Sequence, residues 1–184
     1  MIDNTQEIYR TMKFQEWLIN EQSHKFSCAM IPLDSIAKKL LAWSKKHIPD
    51  KNLCLEEGGR DKENHVTALY GLHSESIEDI KPILKKFKPF EIHLGKVSKF
   101  GSDKYDVIKL EITSPTLHAM NTALKKLPYS CKYPDYKPHC TIAYVKSGSC
   151  DDLIGNKDFD KLHVKANAVI FSTSSGNKTK IVLS

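Results

Sequence analysis

The stretch "YKPHCTIAYV", residues 136–145, has a counterpart in "ENHVTALYGL", residues 63–72. His139, Thr141 and Tyr144 of the one fall where His65, Thr67 and Tyr70 fall in the other. Both stretches carry the branched and aromatic residues of a strand. Side chains alternate along a strand, so a histidine and a threonine two residues apart share a face. The other face holds Val66, Ala68 and Tyr70, or Cys140, Ile142 and Tyr144. That apolar set belongs against helices, and the reading puts both tyrosines in the core. The His/Thr faces are left to line a groove.

The second motif lies 74 residues after the first, and the likeness continues beyond it. "FKPFEIHLGKV" matches "FDKLHVKANAV" at an offset of 72, with Phe87 over Phe159, Ile92 over Val164 and Val97 over Val169. An internal repeat of this length implies two similar α+β lobes about a pseudo-two-fold axis, their H-x-T strands side by side at the junction. The intervening sequence fits. "FSCAMIPL" (26–33) reads as a strand, and a helix capped by Asp34 or Ser35 follows it to about His47. "SIEDIKPILKKF" has helical spacing, with Pro82 set to kink it or to confine the regular helix to the part from Asp79. "FEIHLGKV" and "YDVIKLEI" are strands, the latter with Ile108, Leu110 and Ile112 on one face. Ser114-Pro115 opens a helix. "LHVKANAVIFS" and "KTKIVLS" close the chain as a hairpin around 174–177. Residues 5–20 are helix-compatible, and 1–24 read as a helical appendage to a single bilobal domain over 25–184. The fold class is α+β: two antiparallel sheets, flanking helices and a central groove.

Two imidazoles and two hydroxyls in one groove suit phosphodiester chemistry. Imidazole titrates near neutrality, so one histidine can serve as base and the other as acid. Threonine hydroxyls can donate to phosphate oxygens as charge builds on them. His65, Thr67, His139 and Thr141 are therefore the candidate catalytic set. A single H-x-T strand would carry little weight; its recurrence at matching repeat positions carries the argument. His24, His47, His73, His93, His118 and His163 have no symmetric threonine partner.

The reading needs no metal or other cofactor. A zinc site from Cys131, His139, Cys140 and Cys150 is disfavoured, because neighbours on a strand point in opposite directions. The odd count of five cysteines, without C-x-x-C, reads as reduced thiols in a cytoplasmic protein. "MIDNTQEIYR" is no signal peptide, and no apolar run is long enough to span a membrane. A net charge of +6 suits an anionic partner. Lys137 and Arg60 are candidates for phosphate contact, and Tyr133 and Tyr136 for base stacking. No obligate protein partner is implied.

"HVTALYGL" and "PHCTIAYV" resemble the paired H-x-T motifs of the two-histidine (2H) phosphoesterase superfamily. The resemblance covers about residues 25–184. It implies a bilobal α+β fold and metal-independent phosphodiester chemistry on His65, Thr67, His139 and Thr141. "GGRDKENHVTALYGLH" with "YPDYKPHCTIAYVK" looks like phage-encoded members, some of which degrade the cyclic oligonucleotides of CBASS-type bacterial immunity. On that likeness the expected substrate is a cyclic di- or trinucleotide, opened by attack of a ribose 2′-hydroxyl on the adjacent phosphate. The alternatives are a 2′,3′-cyclic phosphodiesterase acting on RNA-derived ends, and a protein that sequesters a nucleotide without turnover.

Overall fold

The computed structural model describes residues 26–131 and 135–184. The appendage expected at 1–24 and the candidate Tyr133 lie outside them. The strands are β1 (Ser27–Pro32), β2 (His65–Leu72), β3 (Phe90–Phe100), β4 (Tyr105–Thr113), β5 (His139–Lys146), β6 (His163–Ala166), β7 (Ala168–Ser172) and β8 (Lys178–Val182). The helices are α1 (Asp34–His47), α2 (Ile77–Leu84) and α3 (Pro115–Leu124). They accompany two antiparallel sheets, ordered β2-β1-β7-β8 and β5-β4-β3-β6. This is the α+β architecture expected, with each H-x-T strand on the edge of its sheet.

Local sequence accounts for most element boundaries. Ser114 and Pro115 open α3 as expected, with proline at the helix start. Ser76 caps α2, its hydroxyl accepting from the Glu78 amide at 3.3 Å. Pro82 neither delays the helix nor visibly divides it: α2 begins at Ile77 and stops two residues past the proline. So short a helix has few hydrogen bonds for a proline to remove. At α1 the expected cap is displaced. Leu33 occupies the N-cap without a side-chain bond, and Asp34 lies in the first turn, where its charge complements the helix dipole. Leu40 and Trp43 of α1 are buried, and the Trp43 indole donates to Asp158 at 2.7 Å.

The helices cross over. α1 follows β1 yet packs against β5 of the other sheet, while α3 follows β4 yet packs against β2. From α3, buried Asn121 donates to the Ala68 carbonyl at 2.7 Å. The two halves therefore share one core, running from Ile31 and Leu33 through Ile92 and Leu110 to Phe159 and Phe171.

The repeat offset is written into strand pairing. Ile92 pairs in register with Val164, the residue 72 positions on, so the pseudo-two-fold axis passes between them. "LHVKANAVIFS" departs from expectation at that axis. It is two strands broken at Asn167, with β6 joining β3 in one sheet and β7 joining β1 in the other. Its counterpart β3 stays in one sheet throughout.

The expected placement of the tyrosines is also corrected. Both H-x-T strands break register immediately after the threonine: Met30 pairs with Thr67 and Ala29 with Leu69, omitting Ala68, and Lys109 pairs with Thr141 and Ile108 with Ala143, omitting Ile142. Such a bulge reverses the alternation beyond it. Cys28 pairs with Tyr70 and Val107 with Tyr144, so both tyrosines lie on the His/Thr side of their sheets. Simple alternation had assigned them to the helix side.

Candidate active site

The His/Thr faces meet where edge strand β2 approaches edge strand β5. In each motif the histidine folds back on its own chain. His65 Nδ1 lies 2.7 Å from the Glu63 carbonyl, and His139 Nδ1 lies 2.9 Å from the Lys137 carbonyl. A carbonyl only accepts, so each Nδ1 carries the proton and each Nε2 is left for the groove. Two equivalent clamps thus fix the same tautomer on both rings.

A second pair of contacts is reciprocal between the halves. Asn64, just before β2, donates to the Thr141 carbonyl at 3.1 Å. Tyr136, just before β5, donates to the Thr67 carbonyl at 2.8 Å. Each H-x-T strand is therefore held at its threonine by a side chain that leads into the other. The loop 53–61 closes the remaining edge of β5: the Tyr144 amide donates to the Gly59 carbonyl at 2.8 Å and the Asp61 amide to the Ile142 carbonyl at 2.9 Å. Gly58 and Gly59 have φ of 111° and 64°, a backbone that other residues resist.

The two histidines sit in unlike surroundings. Burial pushes His139 down to about 4, the charges of Lys109 and His65 acting in the same direction against the Lys137 carbonyl. The Phe100 ring meets His139 edge-on, with centroids 4.9 Å apart. At neutral pH His139 is neutral, with its Nε2 lone pair available. Beside His65, burial raises the Asp61 carboxyl above its ordinary value.

The other candidate residues have more varied positions. Tyr136 is tied to Thr67, and burial raises its hydroxyl pKa, so its placement is that of a brace. Arg60 bonds Asp50 Oδ1 at 2.5 Å and the Ile48 carbonyl, which anchors the 53–61 loop. Lys137 is exposed, and its charge is felt at Lys109.

Lys109, Phe100 and Asn64 escaped the sequence reading. Lys109 is 8% exposed and pairs in register with Thr141. Its position in "YDVIKLEI", between core residues Ile108 and Leu110, does signal that it faces away from the helices. Only the strand pairing shows that this face is the one His139 occupies.

Among the described residues, one grouping of three potential metal ligands is close enough to share an ion: Glu91, His93 and His163, with ligand atoms within 4.8 Å of one another. All three are exposed, and none belongs to an H-x-T motif. Cys140 is fully buried with its thiol pKa raised by burial, and points away from His139. No helix among the described residues is long and apolar enough to cross a membrane.

No curated protein matches the chain. Solved structures do. The Escherichia coli protein LigT complexed with 3′-AMP superposes with a TM-score of 0.61 at 16% identity, over 86% of this chain and 95% of LigT. Kluyveromyces marxianus Usb1 with uridine monophosphate gives 0.55 at 12% identity, over 88% of this chain and 100% of Usb1. Protein TT0787 of Thermus thermophilus gives 0.57 at 13% identity, over 86% and 95%. At such identities the likeness is one of fold. The family model of the 2′-5′ RNA ligase superfamily matches residues 54–156, more than half of the chain and a span containing both H-x-T motifs. With that match over the two strands that form the groove, the chain belongs to the 2′-5′ RNA ligase superfamily, the two-histidine phosphoesterases.

Proposed function

We propose that the protein is a metal-independent phosphodiesterase whose substrates are cyclic oligonucleotides, with a role in phage counter-defence against CBASS-type immunity. The observation that supports the chemistry is the pair of Nδ1–carbonyl clamps, which engage Nδ1 of both His65 and His139 with the chain and leave Nε2 to a substrate. His139, held neutral, serves as the base. Its Nε2 takes the proton of a ribose 2′-hydroxyl, and that oxygen attacks the adjacent phosphorus. The bond from phosphorus to the 5′-oxygen breaks, and His65, which enters the step as an imidazolium carrying a proton on each nitrogen, gives that oxygen its Nε2 proton and is left with the Nδ1 proton held by the Glu63 carbonyl. The ring becomes a linear strand ending in a 2′,3′-cyclic phosphate. Thr67 and Thr141 donate to the non-bridging oxygens. The charge transfers balance without an ion.

A second reading replaces the 2′-hydroxyl with water and opens the 2′,3′-cyclic phosphate at an RNA end. The nucleotides held by proteins of the same fold, 3′-AMP in LigT and uridine monophosphate in Usb1, favour keeping it. Mass spectrometry after incubation with cyclic di- and trinucleotides and with 2′,3′-cyclic mononucleotides separates the two. Linearised rings are the expected products. Consumption of the cyclic mononucleotides alone establishes the second reading, and tight binding with every substrate recovered intact establishes sequestration.

A further inference from the structure

The two halves share the H-x-T strands but not the surfaces beside them. In the β2 sheet, the row running across from Thr67 continues through Met30 and Ile170 to Lys180 at the far edge. Met30 and Ile170 are both partly exposed, so that side of the groove is apolar next to the catalytic strand. In the β5 sheet, the row from Thr141 continues to Lys109 and Ser98. Lys109 Nζ donates to Ser98 Oγ at 2.7 Å and lies 4.2 Å from the centre of the Phe100 ring. No carboxylate among the described residues comes within ion-pairing distance of it.

A buried ammonium with one hydroxyl and one ring for company is costly to maintain. Its charged neighbours act in both directions: Glu111, on β4 itself, attracts it, while Lys137 before β5 and Lys96 on β3 repel it, and the Lys109 charge is also felt at His139 on β5. Glu111 is also shared, with Lys96 Nζ 3.9 Å from its Oε1. Three lysines around one carboxylate leave this side of the groove short of negative charge. Lys109 also reaches away from Thr141, toward β3, so its ammonium stands one strand further from the catalytic pair.

We propose that Lys109 and Ser98 form a second phosphate subsite, which takes a phosphate neighbouring the one held between the two H-x-T strands. The proposal rests on the phosphodiesterase reading and narrows it: the preferred substrate carries at least two phosphates, as an oligonucleotide or a ring does, and its nucleoside portion lies toward Met30 and Ile170. Burial, with Lys137 and Lys96, holds Lys109 down to about 8. An arriving phosphate favours the charged ammonium, so binding near pH 8 takes up protons.

The test compares wild type with Lys109→Met, a change close in shape that removes a buried charge and is compatible with folding. The substrates are 2′,3′-cyclic AMP, with one phosphate, and 2′,3′-cyclic AMP bearing a 5′-phosphate, ApA ending in a 2′,3′-cyclic phosphate and cyclic di-AMP, each with two. In wild type, kcat/KM on at least one two-phosphate substrate is expected to exceed that on the one-phosphate substrate by tenfold or more, roughly the worth of one charge-assisted contact. In Lys109→Met the ratio falls toward one. Equal losses on all substrates would place Lys109 at the scissile phosphate and overturn the subsite, as would an unchanged ratio. Calorimetry with AMP and adenosine 3′,5′-bisphosphate is independent of turnover. Wild type is expected to prefer the bisphosphate with proton uptake at pH 8, and the variant to lose both. If no substrate reacts but this preference holds, the catalytic reading fails and the subsite stands; if turnover proceeds without the preference, the subsite fails alone.

Discussion

Tautomer control is the main device at the scale of single residues. A histidine whose Nδ1–H is held by a carbonyl offers one nitrogen, in one direction, to the substrate. His65→Ala and His139→Ala are each expected to lower kcat by about 10²–10⁴-fold. Thr67→Val and Thr141→Val should cost about 10²–10³-fold at most and leave measurable turnover, since each removes one donor to the phosphate. Rapid-quench or mass-spectrometric rates on folded variants check the order. The pH dependence follows from His139. Its folded value, about 4, lies below the ordinary 6.5, so as the proposed base it stays competent well into acid. The acidic limb of kcat/KM is expected near pH 4 rather than near neutrality, and a limb at 6–7 would show that the base is not His139. The same shift bears on stability. The folded state resists protonating His139, so stability is full above pH 6.5 and declines as pH falls from 6.5 toward 4. In thermal melts across that window, His139→Gln should lose less than wild type.

At the scale of elements, the matched bulges after Thr67 and Thr141 and the reciprocal clamps of Asn64 and Tyr136 are what place the groove. The clamps tie β2 and β5 at their threonines, where a small shift would be felt in the chemistry. Asn64→Ala and Tyr136→Phe should each cost about 1 kcal/mol in urea denaturation, the ordinary worth of one hydrogen bond. Both should also slow turnover; stability loss with unchanged kcat would make the clamps purely structural. Gly71 provides a harsher test at the end of β2. Its φ is 92°, its carbonyl accepts from the Ser130 amide at 2.8 Å, and a Cβ would overlap the Ser130 carbonyl. Gly71→Ala should therefore destabilise by at least about 2 kcal/mol, with the midpoint of chemical denaturation as the measure.

For the whole molecule, the crossover of α1 and α3 joins the two halves through a single core, so the groove is bounded by elements that cannot separate without exposing it. In the proposed mechanism the acid, the base and the phosphate donors are all side chains of this scaffold. Activity is therefore expected to survive EDTA and dialysis. Complete loss on chelation, restored by one divalent ion, would contradict the mechanism. The Glu91, His93 and His163 grouping makes the control specific, since His93→Ala removes one of its three ligands without touching an H-x-T motif.

The repeat, and with it the fold class, is legible in the order of residues alone. A period-two pattern carrying His-x-Thr twice, 74 residues apart, fixes two equivalent strands and the face each gives to the groove, because alternation is a local property of extended chain. The offset of 72 aligned Ile92 with Val164 as equivalent positions, and the strand pairing then set these two opposite each other at the pseudo-two-fold axis. Alternation stopped being a guide where pairing intervened. Bulges belong to two strands together, so the turning of Tyr70 and Tyr144 toward the groove could not be read from either strand alone. The same holds for Lys109. Its own strand shows only which side it faces; what shares that side depends on the folded chain, because burial and charge come from neighbours far apart in sequence. Tyr136 and Arg60, read from composition as ligand contacts, were placed by such neighbours as well: one against the Thr67 carbonyl, the other against Asp50.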